Sequence, residues 1–334
     1  MLVTGGAGFL GSNLCEYLVN SYNVICVDNY SSGHESDIDH LLSHPHFEFI
    51  RHDITEPLDF KHFPGVERFR TAFVGVQYVI HTVASLSPAA YLRHPIDFMM
   101  INVSGTKRML DMAQANRSRF IFLSDGLVYG TIDGVQHQTE EHLGSLEGYP
   151  SSLRRFAESL RYAETLIDAY RELYNLETSI VRLHQVYGPA MHFDDGRFVS
   201  GLIKKALVHQ DIILPKPLDS SAYLYIGDAV DAIEKILASE KTGVYNLGGG
   251  SAYAPSEVVG KILQMTESRS KMVEGQPSIE DQPFVPFWQA EARIPSLMRL
   301  KEEIGWFPVI LLDEGLVKTV DFLKSLRGVR AIDS

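Results

Sequence analysis

Four glycines near the start of the chain, Gly5, Gly6, Gly8 and Gly11, have a spacing suited to one task, the close approach of backbone to phosphate. The core of the pattern is Gly6-x-Gly8-x-x-Gly11. Glycines at these positions allow a tight turn, let the backbone reach a pyrophosphate, and pack the following helix against the preceding strand. The free N–H groups and dipole at that helix's N-terminus favour an anion. Further on, Asp28 offers a carboxylate able to accept hydrogen bonds from the two hydroxyls of a ribose. No Arg or Lys stands beside Asp28 to receive a 2′-phosphate, so the pattern selects NAD over NADP.

These residues need a strand before the turn, a helix after it, and a second strand ending at Asp28. Leu2 and Val3 read as the end of a buried strand, Ser12–Val19 as an amphipathic helix, and Val24–Val27 as the second strand. Asn29–Gly33 reads as a turn, followed by a short polar helix through Leu42. Phe47, Phe49 and Ile50 make a third strand leading to Asp53 and Ile54. Val74–Ile80 is a fourth strand, delivering Thr82 and Ala84, and Tyr91–Ala115 is one long helix containing Asn102. Arg119–Ser124 is a fifth strand, Ser151–Tyr174 a second long helix and Thr178–Leu183 a sixth strand. Alternating strands and helices imply an α/β protein with a doubly wound, Rossmann-type parallel sheet, whose ligands bind beyond the carboxyl ends of the strands.

After Leu183 the alternation loosens. Helices are expected at Phe198–Val208, Asp228–Ala238, Pro255–Thr266, Leu297–Ile304 and Leu312–Leu326, with short strands at Tyr223–Ile226 and Val244–Leu247, and 268–295 is rich in loop. The chain of 334 residues is long enough for two lobes. Its formal charge of −12 repels a nucleic-acid backbone, so no nucleic-acid partner is expected. No apolar run is long enough to span a bilayer, and the first strand begins near Met1 with no space for a leader. Cys15 and Cys26 read as small buried apolar residues. A reducing cytoplasm is the expected setting. His44-Pro45-His46 and His192 with Asp194 and Asp195 resemble metal ligands only superficially, since no zinc-type spacing accompanies them; no metal is expected. A serine-hydrolase elbow is missing.

The order of GGAGFLG, DNYSSG, HDI, the VYG of DGLVYG, and VRLHQVYGP resembles the extended short-chain dehydrogenase/reductases, the group of nucleotide-sugar epimerases, dehydratases and decarboxylases. Within it, SLSPAAYLRHPIDFMMINVSGT, GPAMHFDDGRFVSGLIKKAL and RIPSLMRLKEEIGW are most similar to the UDP-glucuronate decarboxylases. The resemblance implies an NAD-binding lobe over residues 1–183, completed by 228–247. A smaller, interleaved C-terminal substrate lobe would comprise 184–227 and 248–334. NAD would be held by Gly5, Gly8, Phe9, Leu10, Gly11, Asp28, Asn29, Asp53, Ile54, Thr82, Ala84 and Asn102. A nucleotide-diphosphate sugar, foremost a UDP-sugar, would meet Gln185, Arg197 and Arg293, a guanidinium being well matched to phosphate oxygens. The family also implies a homodimer joined through Tyr91–Ala115 and Ser151–Tyr174.

The resemblance fails at the catalytic positions. The family's chemistry uses a Tyr-x-x-x-Lys pair on the long helix. Aligned on Arg161 and Ala163-Glu164-Thr165, those positions hold Phe156 and Leu160, and no tyrosine anywhere in the chain has a lysine four residues later. The usual Ser or Thr is Asp125, the decarboxylases' glutamate is Leu127, the asparagine of the strand-six motif is Gln185, and an arginine is replaced by Ser221. Two readings follow. In one, the protein carries out atypical chemistry on a nucleotide sugar, with Asp125 as the base and His184 as a weaker candidate. In the other, it is a catalytically silent binder of NAD or a nucleotide sugar, acting as a partner or sensor.

Overall fold

Leu2, Val3 and Thr4 have no solvent contact, as a strand covered on both faces requires. They form β1 (Leu2–Thr4), an interior strand of the sheet in the computed structural model, which describes residues 1–82, 87–131 and 138–330. The other strands are β2 (Val24–Asp28), β3 (Phe47–Arg51), β4 (Tyr78–His81), β5 (Arg119–Asp125), β6 (Thr178–Leu183) and β7 (Gly243–Leu247). All seven run parallel in the order β7-β6-β5-β4-β1-β2-β3. The winding reverses between β1 and β4, which opens a crevice beyond their carboxyl ends. This is the doubly wound Rossmann-type fold that the alternation implied.

Side chains alternate between two apolar layers with the period of a strand. In β2, Cys26 packs into one layer with Leu10, Leu14 and Ile233, while Ile25 and Val27 enter the other with Leu110, Phe120 and Leu160. The first layer is covered by α1 (Phe9–Leu18) and Ile226–Ala238. The second is covered by the segments between residues 88 and 116 and by the long helix Ser151–Tyr174. After Leu183 come short strand pairs: Val186–Tyr187 with Leu224–Tyr225, Ser221–Ala222 with Ala252–Tyr253, and Ile212–Leu214 with Met272–Glu274.

Several boundaries differ from expectation. The helix expected from Ser12 starts at Phe9, directly on the glycine turn. The polar helix before Leu42 is two 3₁₀ turns. The fourth strand begins at Tyr78 because Thr71–Val74 is a helical turn and Gly75 follows it with φ of +66°. Tyr91–Ala115 is not one helix. Pro88–Arg93 ends where Pro95 forces His94 out of helical geometry (φ −134°, ψ 57°), and Pro95–Met100, a π turn at Ile101–Gly105, and Thr106–Asn116 follow. The loop-rich 268–295 holds the strand Met272–Glu274 and the helix Val285–Glu291.

Beneath the carboxyl end of the sheet lies a buried ion pair. Arg182 on β6 donates to both carboxylate oxygens of Glu164 on the long helix, at 3.1 and 2.7 Å, and Glu164 also accepts from Ser124 at 2.6 Å. Arg182 further donates to the Tyr129 hydroxyl and the Glu140 carbonyl, and Tyr129 donates to Asn246 on β7 at 2.7 Å. Four of the five N–H donors of Arg182 thus find acceptors in place of the water lost on burial. Removing one member leaves the other charge stranded, which costs about 3–5 kcal/mol for a buried pair. Glu164→Ala is therefore expected to lower unfolding stability in urea by about 3 kcal/mol. The double variant Glu164→Leu/Arg182→Met should lose clearly less than the sum of the single variants.

Candidate active site

The glycine turn is built by backbone alone. Gly5 adopts φ of +69°, a left-handed conformation that suits glycine, and its N–H donates to the Val27 carbonyl at 2.8 Å. A Cβ on Gly11 would land on the Gly5 carbonyl oxygen, so the helix can sit this close to the turn only without a side chain there. Gly8 caps α1 in an extended conformation, and the first helical turn carries no acidic residue to compete with an anion.

Asp28 stands at the end of β2 and is 8% exposed. Its two oxygens accept from the N–H of Ala7, at 3.0 Å, and of Tyr30, at 2.7 Å. Burial raises its pKa, while these N–H donors pull it back. The carboxylate thus braces the glycine turn and keeps lone pairs free for further donors. Beside it, Asn29 donates to Asp53 at 3.2 Å. Burial acts to raise the Asp53 carboxyl, but donation from the Thr55 hydroxyl and N–H and from Asn29 prevails and holds it below the usual range.

A cleft runs along these groups. Of the residues expected at a cofactor, Gly5, Gly8, Phe9, Leu10, Gly11, Asp28, Asn29, Asp53, Ile54 and Thr82 line it together. Thr82 donates to the Thr4 carbonyl at 2.6 Å, which fixes the edge of the crevice. Asn102 does not line it: the residue is buried and donates to Ser159 on the long helix at 2.9 Å. Ala84 lies outside the described residues. Ser31, Ser32, His34, His52, Ser87, His192 and Asp195 also line the cleft and were not anticipated. Ser31 and Ser32 follow Asn29 closely in the chain, a signal the sequence carries. Nothing in the sequence brings His192 near the glycine turn.

A second cavity shares Phe9, Leu10 and Arg197 with the first and adds Asp125, Gln185 and Met191. Arg197 reaches both, with its guanidinium 4.9 Å from the centre of the Phe9 ring and 2.7 Å from the Asp195 carboxylate. Gln185 is held at φ of +43°, unusual for a residue with a side chain. Asp125 ends β5 and accepts from the Leu127 N–H at 2.8 Å, capping the turn Gly126–Tyr129. Burial pushes its pKa up to about 6, against the opposing pull of the Leu127 N–H and the charges of Arg197 and Arg293. Arg293 is anchored by the Ala290 carbonyl and by the Tyr149 hydroxyl, at 2.9 Å.

Other sequence candidates lie behind this surface. The His184 ring packs against Gly126 and meets Asn246 at 3.3 Å; burial drives its pKa down to about 3, so it is neutral. Phe156 and Leu160 are fully buried in the apolar layer with Phe98 and Phe287, and the Phe156 ring lies 4.9 Å from that of Tyr91. His46 bonds Asn23, and His192 meets Asp37 rather than Asp194. Among the described residues, no three His, Cys, Asp or Glu side chains converge as metal ligands would.

Comparison with known proteins agrees with this arrangement. Residues 1–248 match the model of the NAD dependent epimerase/dehydratase family. UDP-glucuronic acid decarboxylase 6 of Arabidopsis thaliana is 34% identical over 323 residues, covering 95% of this chain and 86% of its own. Two solved structures share the fold. The dTDP-glucose 4,6-dehydratase of Bacillus anthracis, in complex with NAD, has a TM-score of 0.78 at 23% identity, covering 98% of this chain and 97% of its own. The UDP-glucose 4-epimerase of Thermotoga maritima, with UDP-glucose, has a TM-score of 0.80 at 24% identity, covering 98% and 99%. The glycine turn, the acid that braces it, the seven parallel strands and these matches make the chain a member of the NAD-dependent epimerase/dehydratase family of extended short-chain dehydrogenase/reductases.

Proposed function

We propose that this protein binds NAD in the cleft beyond β1 and β4 and a nucleotide-diphosphate sugar, foremost a UDP-sugar, in the adjoining cavity, and that it modifies the sugar by atypical chemistry. Residues 1–183 with 228–247 form the NAD lobe in this reading, and 184–227 with 248–334 the sugar-nucleotide lobe. The observation that carries it is the convergence of the glycine turn, Asp28, Asn29 and Asp53 on one cleft, with Arg197 reaching from it into the second cavity. The glycine turn would take the pyrophosphate, and Asp28 the adenosine ribose. Arg197, together with Arg293, would take the sugar diphosphate. The dehydratase and epimerase above, described with NAD and with UDP-glucose, support the pairing of ligands.

NAD supplies a hydride acceptor when bound. The proton must go to a residue of this chain. Where the family places Tyr and Lys, Phe156 and Leu160 have no ionisable group, so the task falls to Asp125. It lies on the second cavity, and its raised pKa makes the carboxylate a stronger base than an exposed aspartate. One observation favours the alternative, a silent binder. Phe156 and Leu160 fill their positions as tightly packed core rather than as a re-equipped site. A cytoplasmic setting goes with this reading, and among the described residues no helix is long and apolar enough to cross a membrane. A homodimer through the 88–116 segment and Ser151–Tyr174 is also part of it, supported by exposed Ile96, Met100, Tyr162 and Leu173.

Calorimetry is expected to register NAD binding, and Asp28→Asn to weaken it at least about tenfold, the worth of a hydrogen bond to a charged group. Incubated with NAD and UDP-glucuronate, the protein should release sugar product more slowly than an enzyme with the usual base, but by less than the ~10²–10⁴-fold that such a base supplies. Asp125→Asn should abolish that product and leave NAD binding intact; absence of product from the unaltered chain would select the silent reading. Because the folded pKa of Asp125 lies above its unfolded value of 3.8, the native state binds the extra proton between about pH 4 and 6. Stability from this residue therefore falls as pH rises through that window. Melting curves should show Asp125→Asn gaining on the unaltered chain from pH 4 to 6, and by a constant margin above it.

A further inference from the structure

One wall of the first cleft comes from far along the chain, the turn that follows Gly188-Pro189, and its attachment is specific. Asp37 ends the 3₁₀ turn Glu35–Asp37 between β2 and β3. His192 Nε2 lies 3.0 and 2.9 Å from the two Asp37 carboxylate oxygens, and these side chains are 9% and 4% exposed. The His34 ring stacks on the His192 ring with centroids 3.7 Å apart and planes at 28°. The chain of contacts reaches the glycine turn, since the His34 N–H donates to the Ala7 carbonyl at 3.0 Å. It reaches the opposite side as well: the His192 N–H donates to Asp195 at 2.9 Å, and the same carboxylate oxygen takes Arg197. His34, His192, Asp195 and Arg197 all line the cleft.

We propose that His192 and Asp37 form a latch that holds this wall over the cleft, and that its closure sets how long a dinucleotide stays bound. The two residues are 155 positions apart and belong to segments that no strand pairing joins. A two-point hydrogen bond from one imidazole nitrogen to a carboxylate fixes the ring edge-on, and the stacked His34 holds its plane. With the latch closed, Arg197 stays over Phe9 and the cleft keeps its second side. With it open, the turn that carries Arg197 is released from the β2–β3 connection, and a ligand can leave sideways. His192 and Asp37 are positioning residues in this scheme, acting through the wall.

The proposal rests on NAD binding in the first cleft, and its test separates the two. The full chain is loaded with NADH, and release is followed by fluorescence after mixing with excess NAD, for the unaltered chain and for Asp37→Ala, His192→Ala and the double variant. Release is expected about tenfold faster in each single variant, and no faster in the double than in the faster single, because one contact is lost in all three. His192→Gln, which retains a donor toward Asp37, should fall between. A purely structural pair would lower the melting temperature and leave release unchanged. Release within twofold of the unaltered chain, in a double variant that still melts cooperatively, overturns the latch. Failure of the unaltered chain to bind NADH overturns the cofactor reading and the latch with it.

Discussion

The carboxylate of Asp28 ties the site together. A glycine turn has no side chains of its own to hold it, so its shape depends on where its N–H groups find acceptors. Asp28 accepts from Ala7 inside the turn and from Tyr30 beyond β2, joining the turn to the strand and to the connection that follows. The geometry offered to a phosphate and the acid offered to a ribose therefore come from one group. Burial raises its pKa, and the donors that hold the turn work against that rise without cancelling it.

That local construction explains why the first cleft was legible in the sequence. Gly5 to Asp28 are close in the chain, and the chemistry of each residue fixes its neighbours. The break in the first long helix was legible too, since Pro95 excludes helical geometry at His94, though periodicity alone ran through it. Asn102 was harder. Its place at the cofactor followed from the family resemblance alone, and the sequence carries no sign of the π turn at Ile101–Gly105 in which it sits. Its amide points to Ser159 instead of the cleft. The wall with His192 and Asp195 was invisible because it depends on contact between segments more than a hundred residues apart.

The two cavities differ in how they are furnished. The first has acids and backbone donors at fixed places, with Asp53 held ionised by Thr55 and Asn29. The second has one acid, Asp125, whose charge is opposed by burial and favoured by two arginines, one of them, Arg197, already paired with Asp195. A ligand diphosphate that draws on Arg197 would weaken the attraction holding Asp125 ionised, so binding and the protonation of that carboxyl are coupled through one guanidinium.

Phe156 and Leu160 bear on the same balance. A tyrosine–lysine pair would bring a second cation and a polar hydroxyl to the long helix. Here that stretch is closed by aromatic packing, with Tyr91 4.9 Å from Phe156, and neither Phe156 nor Leu160 carries a polar group. With Phe156 and Leu160 at these positions, the long helix offers neither a phenol nor an amine there. The Asp125 carboxyl answers instead to burial, to the Leu127 N–H whose turn it caps, and to the charges of Arg197 and Arg293, so whatever binds those two guanidiniums also sets how readily it takes a proton.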